Sequence, residues 1–300
     1  MTDTPTVVDV VAAANRIRPH VRRTPLMHAE VDGRRVVFKL EHLQRTGSFK
    51  LRGATNALLS GPRPVRVVTA SGGNHGLAVA IAAGAIGVPV TVHMPDFVPE
   101  QKASRMSAAG AKLVRHDDMT EVFAAAQADG DLPGHRYLHP YDDRDVIAGQ
   151  GTVTAEIVAD APEVDSVVVA VGGGGLAGGA AVAASGRQLI AAEPAGCRCF
   201  NAALAAGRPV ESAVDSIAAS GLGATRIGDL PFRLLTDAAA VSALVSEDQI
   251  VAARDRLWEE FRLAVEPAAA VSFAALLAGQ VPGDLPCLIL CGANTVWSPG

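Results

Sequence analysis

Short runs of branched apolar residues alternate with alanine-rich stretches of helical period through most of the chain. Val65-Arg66-Val67-Val68-Thr69 has the length and β-branched content of a strand. It leads into the turn Ser71-Gly72-Gly73-Asn74-His75-Gly76, an alanine-rich helix, and a second strand around Val88 to Met94. The same sequence of elements recurs later: Val167 to Val171, the glycines Gly172 to Gly175, a Gly/Ala helix, then Leu189 to Glu193. A third buried strand is predicted over Cys287 to Leu290, ending in Cys291-Gly292-Ala293-Asn294-Thr295. Before it, Ser246 with acids behind it caps an amphipathic helix running through Trp258 and Phe261, and Glu266-Pro267 opens an alanine-rich one. Repeated βαβ units of this kind predict an α/β fold with mostly parallel sheets. Ligands of such sheets bind beyond the carboxyl ends of the strands, where both glycine-rich turns fall.

Composition narrows the class. Three hundred residues, 49% of them hydrophobic, can bury a large core in one two-lobed unit or two domains. A net charge of -5 with no lysine- or arginine-rich stripe argues against a nucleic-acid partner. Apolar stretches are interrupted, as by Gly84, Gly87 and Pro89, so no membrane span is expected. The first residues lack a basic segment followed by an apolar one, and a cytoplasmic location is the expectation. Four cysteines do not build a disulfide framework in a chain this long; Cys197 and Cys199 read as buried small apolar residues. His135 and His139 have helical ligand spacing, but Pro133, Gly134 and Pro140 make them loop or surface histidines.

Lys50 stands among small, hydroxyl and aromatic residues rather than among other charges. Apolar surroundings lower an amine's pKa and free its lone pair for covalent chemistry. The glycine run Gly172 to Gly178 contains a G-x-G-x-x-G frame, and Glu193 follows where a ribose-binding acid of an NAD enzyme would lie. Bare backbone N–H groups at a helix start bind a single phosphate equally well. Nicotinamide chemistry gives Lys50 no role. A phosphate cradle, a partly desolvated amine and a carboxylate-binding loop together are the set that a pyridoxal-phosphate enzyme requires.

At these residues the chain resembles the threonine/serine dehydratase branch of the fold type II pyridoxal-phosphate enzymes, a group that includes serine racemases. The likeness rests on Thr24-Pro25-Leu26, Lys39-Leu40-Glu41, Gly47 to Gly53, Ser71 to Gly76, Gly149-Gln150-Gly151-Thr152, Gly172 to Leu176, Glu193-Pro194, Glu266-Pro267 and Cys291 to Asn294, in that order. It implies a tryptophan synthase β-like fold of two lobes, each a mostly parallel sheet flanked by helices. Residues 1–65 plus 143–300 would form the large cofactor-binding domain and residues 66–142 the small mobile domain that binds the substrate carboxylate.

By the same resemblance Lys50 is the Schiff-base lysine and the catalytic base, and Phe49 lies beside the cofactor ring. Gly172, Gly173, Gly174, Gly175 and Leu176 form the phosphate loop. Asn74 reaches the pyridine 3'-oxygen, and Ser71, Gly72, Asn74 and His75 make the carboxylate-gripping loop. Cys291 faces the pyridine nitrogen; a thiol, with a reference pKa of about 8.5, is a poor proton donor to that ring, which favours loss of a β-leaving group over transamination.

Two departures carry information. Racemases of the group have a second serine where this chain has Gly72, so one-base elimination is the expectation. Metal-binding relatives have a second acid where this chain has Cys199, which leaves Glu193 a weak metal candidate and a loosely held monovalent cation as the remaining option. The implied reaction is dehydration and deamination of L-threonine or L-serine to a 2-oxo acid and ammonia, by a homodimer. Ending soon after Asn294, the sequence also suggests an enzyme without the regulatory domain of biosynthetic relatives. The rivals are serine racemisation, hydroxyaspartate dehydration or β-replacement on the same cofactor, an NAD-dependent oxidoreductase, and a non-catalytic amino-acid-binding protein.

Overall fold

The computed structural model describes residues 4–295. The chain runs through α1 (Val7–Ile17), β1 (Leu26–Val31), β2 (Arg34–Lys39), a 3-10 turn at Glu41–Leu43, α2 (Lys50–Leu59), β3 (Arg66–Ala70), α3 (Asn74–Ala85) and β4 (Val90–Pro95). Next come α4 (Glu100–Ala108), β5 (Ala111–His116), α5 (Met119–Gly130), β6 (His135–Tyr137), α6 (Arg144–Asp160), β7 (Ser166–Ala170), α7 (Gly175–Ala183) and β8 (Gln188–Pro194). The chain closes with α8 (Cys199–Ala206), α9 (Ala219–Leu222), α10 (Asp229–Asp237), β9 (Val241–Val245), α11 (Glu247–Phe261), α12 (Pro267–Leu277) and β10 (Pro286–Ile289).

Two sheets result. One has six strands in the order β1-β2-β10-β7-β8-β9, the other four in the order β5-β4-β3-β6. Every pairing is parallel except the β1–β2 hairpin, whose tight turn places Asp32 and Gly33 at positive φ. Strands β7 and β10 are buried at every position, as continuous apolar runs in a doubly covered parallel sheet must be. Helix α12 is buried along nearly its whole length; its alanines let it lie close against the large sheet. Two main apolar clusters fill the molecule, one around Phe38, Val168, Phe200 and Phe273, the other around Leu77, Val92, Met94 and Met106. Leu51, Ala54, Ala57 and Leu58 of α2 belong to the second, where the helix that begins at Lys50 packs against α3 and α6.

The start of α2 is held by charge. Arg52 is wholly buried; its Nε and Nη2 donate to Glu41 at 2.9 and 2.8 Å, and its Nη1 and Nη2 donate to Glu156 at 2.7 and 2.9 Å. Lys39, also wholly buried, donates to Glu156 Oε2 at 2.5 Å and to the Thr24 carbonyl at 2.7 Å. Burial alone would raise the Glu41 carboxyl, but Arg52, with Lys39 behind it, outweighs that and holds it below its usual range. Removing one member of such a group strands the others in a low dielectric. Arg52→Met should therefore cost about 3–5 kcal/mol of stability in urea unfolding, and a loss under about 1 kcal/mol would show that the network does not hold α2.

Candidate active site

Lys50 lies where three strand-end loops converge. The loop before α2 runs antiparallel to the loop after β10: Ser48 bridges Gly292, the Phe49 amide donates to the Cys291 carbonyl at 3.1 Å, and the Ala293 amide donates to Gly47 at 2.8 Å. That pairing sets the partly buried Lys50 amine beside the Cys291 thiol. Lys50 Nζ donates to the Pro140 carbonyl at 2.7 Å and stands 5.3 Å from the centre of the Phe49 ring. Burial lowers its pKa to about 8. Burial raises the Cys291 thiol, and the neighbouring Glu266 adds to that rise, so the sulfur stays protonated.

Asn74 opens α3 and is fixed from both ends of its amide. Its Nδ2 donates to Glu266 Oε1 at 2.8 Å, and its Oδ1 accepts from Asn294 Nδ2 at 2.8 Å. Arg105 of α4 in turn donates to Asn294 Oδ1 at 2.7 Å. One Nδ2 hydrogen of Asn74 is left for a ligand. Burial raises the Glu266 carboxyl above its usual range. The Ser71 hydroxyl accepts from the Gly73 amide at 3.2 Å, while His75 turns its ring away from the turn, its Nε2 3.2 Å from the Leu138 carbonyl and its Nδ1 without a partner. Burial, then the nearby Lys50, pushes His75 well below its ordinary pKa.

Between β7 and α7 the chain turns at Gly172 to Gly175, with Gly174 at φ +96° and no side chain capping α7. A Cβ at Gly173 would overlap the Tyr141 ring, and one at Gly174 would come 2.6 Å from Pro231. Leu176 points into the large core. Only glycine lets the backbone make this turn, and the uncapped amides of α7 present an anion site. Glu193 stands apart. It is wholly buried, its two oxygens accept from the Phe200 and Asn201 amides at 2.8 Å each, and no ribose can reach it. The dinucleotide interpretation of this frame fails on that commitment.

Several residues at the site carry no local signal. Pro140, His139 and Tyr141 lie on one short segment; His139 Nδ1 accepts from the Asp142 amide at 2.8 Å, and burial lowers its pKa to about 4. The expectation of loop or surface histidines holds for His139, which lies in the loop after β6 and is half-buried at the site, and is corrected for His135, which sits in β6 with its Nδ1 2.8 Å from the Asp129 carbonyl. Val98, after β4, leans over Gly72 so closely that a Cβ there would overlap its Cγ2.

Residues 17–292 match the family of pyridoxal-phosphate dependent enzymes. This chain belongs to that family. It is 38% identical over 297 residues to an L-threonine ammonia-lyase of Geobacter sulfurreducens, covering 94% of this chain and 74% of the relative. It is 34% identical over 288 residues to a beta-hydroxyaspartate dehydratase of Paracoccus denitrificans, covering 91% and 90%. Among solved structures, maize serine racemase superposes with a TM-score of 0.92 at 30% identity, covering 98% of this chain and 94% of that one. Three activities thus share one backbone, and the side chains must discriminate among them.

The residues present fit the family's cofactor: an amine with a lowered pKa, a glycine turn that a Cβ would fill, an amide hydrogen left free, and a protonated thiol. At Gly72 the fit excludes a larger residue. Gly72→Ser should lower stability by about 1–3 kcal/mol, as overpacking does. Adding Val98→Ala should recover at least half of that loss in urea unfolding; a serine accepted at no cost would contradict the close approach of Val98.

Proposed function

We propose that this chain is an ammonia-lyase that dehydrates and deaminates L-threonine or L-serine, with Lys50 as cofactor anchor and base. One observation carries the reading. The chain has four lysines, and Lys50 is the one whose partly buried amine, pKa lowered, bonds to a backbone carbonyl at the meeting of the three loops. Lys39 is committed to Glu156, and Lys102 and Lys112 lie on α4 and β5.

Bound pyridoxal phosphate supplies an electron sink for charge developing at the substrate's α-carbon. The amides of Gly172 to Gly175 and the start of α7 would hold its phosphate, with Leu176 anchoring the turn from the core. Asn74 would offer its remaining amide hydrogen to the ring oxygen. Phe49 would back the ring, and the Cys291 thiol, a poor proton donor, would face the ring nitrogen, which favours prompt loss of the β-hydroxyl. Ser71, Gly72, Asn74 and His75 bind the substrate carboxylate through the turn that opens α3; His75 contributes its backbone, since its ring points to Leu138. Lys50 takes the α-proton. The opposite face of the substrate would meet Gly72 and the Val98 packed on it, which bear no group able to accept a proton. Water is lost and then regained as the product hydrolyses, so threonine yields 2-oxobutyrate and ammonia, and serine yields pyruvate and ammonia.

The Geobacter relative supports this substrate class. Racemisation requires a second acid–base group, and Gly72 under Val98 disfavours it. Residues 66–142, around the four-stranded sheet, would close on the substrate against residues 1–65 and 143–300. No helix among the described residues is long and apolar enough to cross a membrane. We take the working form to be a cytoplasmic homodimer. Steady-state assays on L- and D-threonine, L- and D-serine and 3-hydroxyaspartate, reading 2-oxo acid, ammonia and enantiomer together, test the assignment. Turnover of L-threonine or L-serine to 2-oxo acid, with D-amino acid formation at least a hundredfold slower, is the expected result. Predominant racemisation, or turnover of hydroxyaspartate alone, would refute it.

A further inference from the structure

The ligand set of the cation-binding relatives does not fit a hard cation here. Each oxygen of Glu193 already accepts a backbone amide at the N-terminus of α8, where the helix's own N-cap residue, Arg198, provides no side-chain bond. The partial positive charge of that helix end, with the Arg198 guanidinium nearby, occupies the field that a cation would need. Cys199 offers sulfur, a poor ligand for an ion that prefers oxygens. Among the described residues no group of three His, Cys, Asp or Glu side chains is placed to hold a metal.

Instead, the Cys199 thiol donates to the carbonyl of Gly172 at 3.2 Å. Gly172 is the first residue of the glycine turn, so the bond ties the start of α8 to the cradle. Glu193, from the end of the neighbouring strand β8, holds the same helix end from the other side. Strand β8, α8 and the turn thereby form one hydrogen-bonded unit without an ion.

We propose that the Cys199–Gly172 hydrogen bond takes the place that a cation holds in the metal-binding relatives: Cys199 is a positioning residue for the glycine turn, and the enzyme is cation-independent. The proposal rests on Gly172 to Gly175 being the phosphate cradle. Melting temperatures report on the cation independently of that assignment. The holoenzyme, treated with EDTA and exchanged into a tetramethylammonium buffer, would be titrated with KCl, MgCl2 and CaCl2 at constant ionic strength. Its melting temperature and 2-oxo acid production should stay unchanged within twofold for rate and about one degree for melting. In the same buffer Cys199→Ala should weaken pyridoxal-phosphate binding several-fold, read from the cofactor's absorbance, with kcat at saturating cofactor near that of the parent. Cys199→Ser, whose hydroxyl still donates, should restore the affinity. A several-fold activation or a clear rise in melting temperature of the unaltered chain with any of the three salts would overturn the proposal. So would cofactor binding by Cys199→Ala as tight as the parent's; the titration of the unaltered chain stands even if that variant fails to fold.

Discussion

A guanidinium with no access to water, bonded to two carboxylates from different parts of the chain, is the constraint from which the site follows. Arg52 ties the first turn of α2 to Glu41, just past β2, and to Glu156 on α6, while Lys39 braces Glu156 from β2 itself. Burying so many charges is costly, and apolar side chains of the same volume would stabilise the fold as well or better. What the charges add is direction. A bidentate guanidinium accepts its partners in few geometries, so the helix start, and Lys50 two residues before Arg52, has one orientation relative to both sheets. An apolar contact would allow α2 to slide by fractions of an ångström that a reacting amine cannot tolerate.

Against this charged anchor, the surroundings of Lys50 are biased to neutrality. Burial pushes His75 and His139 down and Cys291 and Glu266 up, each toward its uncharged form. Lys50 follows the same rule, its pKa falling to about 8. A site with little fixed charge of its own leaves the electrostatics to what binds there, which in the proposed function would be a phosphate on the amides of α7 and a carboxylate on the turn of α3. Both helix starts lack a side-chain cap and would bind such anions by hydrogen bonds and dipole and not by a formal charge that would perturb the lysine.

Much of this was legible in the chain because the signals are local. The β-branched run 167–171 reads as a buried strand, Ser246 as an N-cap, and four successive glycines as a turn that no other residue can make; all three occur in the fold. The family motifs mark Lys50, Asn74 and Cys291 in the same way. Contacts made across long separations left no such trace. Nothing near Phe49 announces that its amide pairs with Cys291, some 240 residues later. Val98 is one more apolar residue after a strand, and only the fold brings it over Gly72. Tyr141 and His139 were hidden by the prolines and glycine around them, which mark a loop but not where the loop goes. Cys199 was legible as a departure, while its partner, the Gly172 carbonyl, is a backbone atom that sequence cannot name.

The central claim is that Lys50 carries the cofactor, and the composition makes it unusually direct to test. The chain has four lysines, Lys39, Lys50, Lys102 and Lys112. The protein would be saturated with pyridoxal phosphate, reduced with borohydride, digested and mapped by mass spectrometry. The account predicts the reduced cofactor's mass on the peptide containing Lys50 and on no other. Its attachment to Lys39, Lys102 or Lys112 in preference to Lys50, or the absence of any adduct, would contradict it.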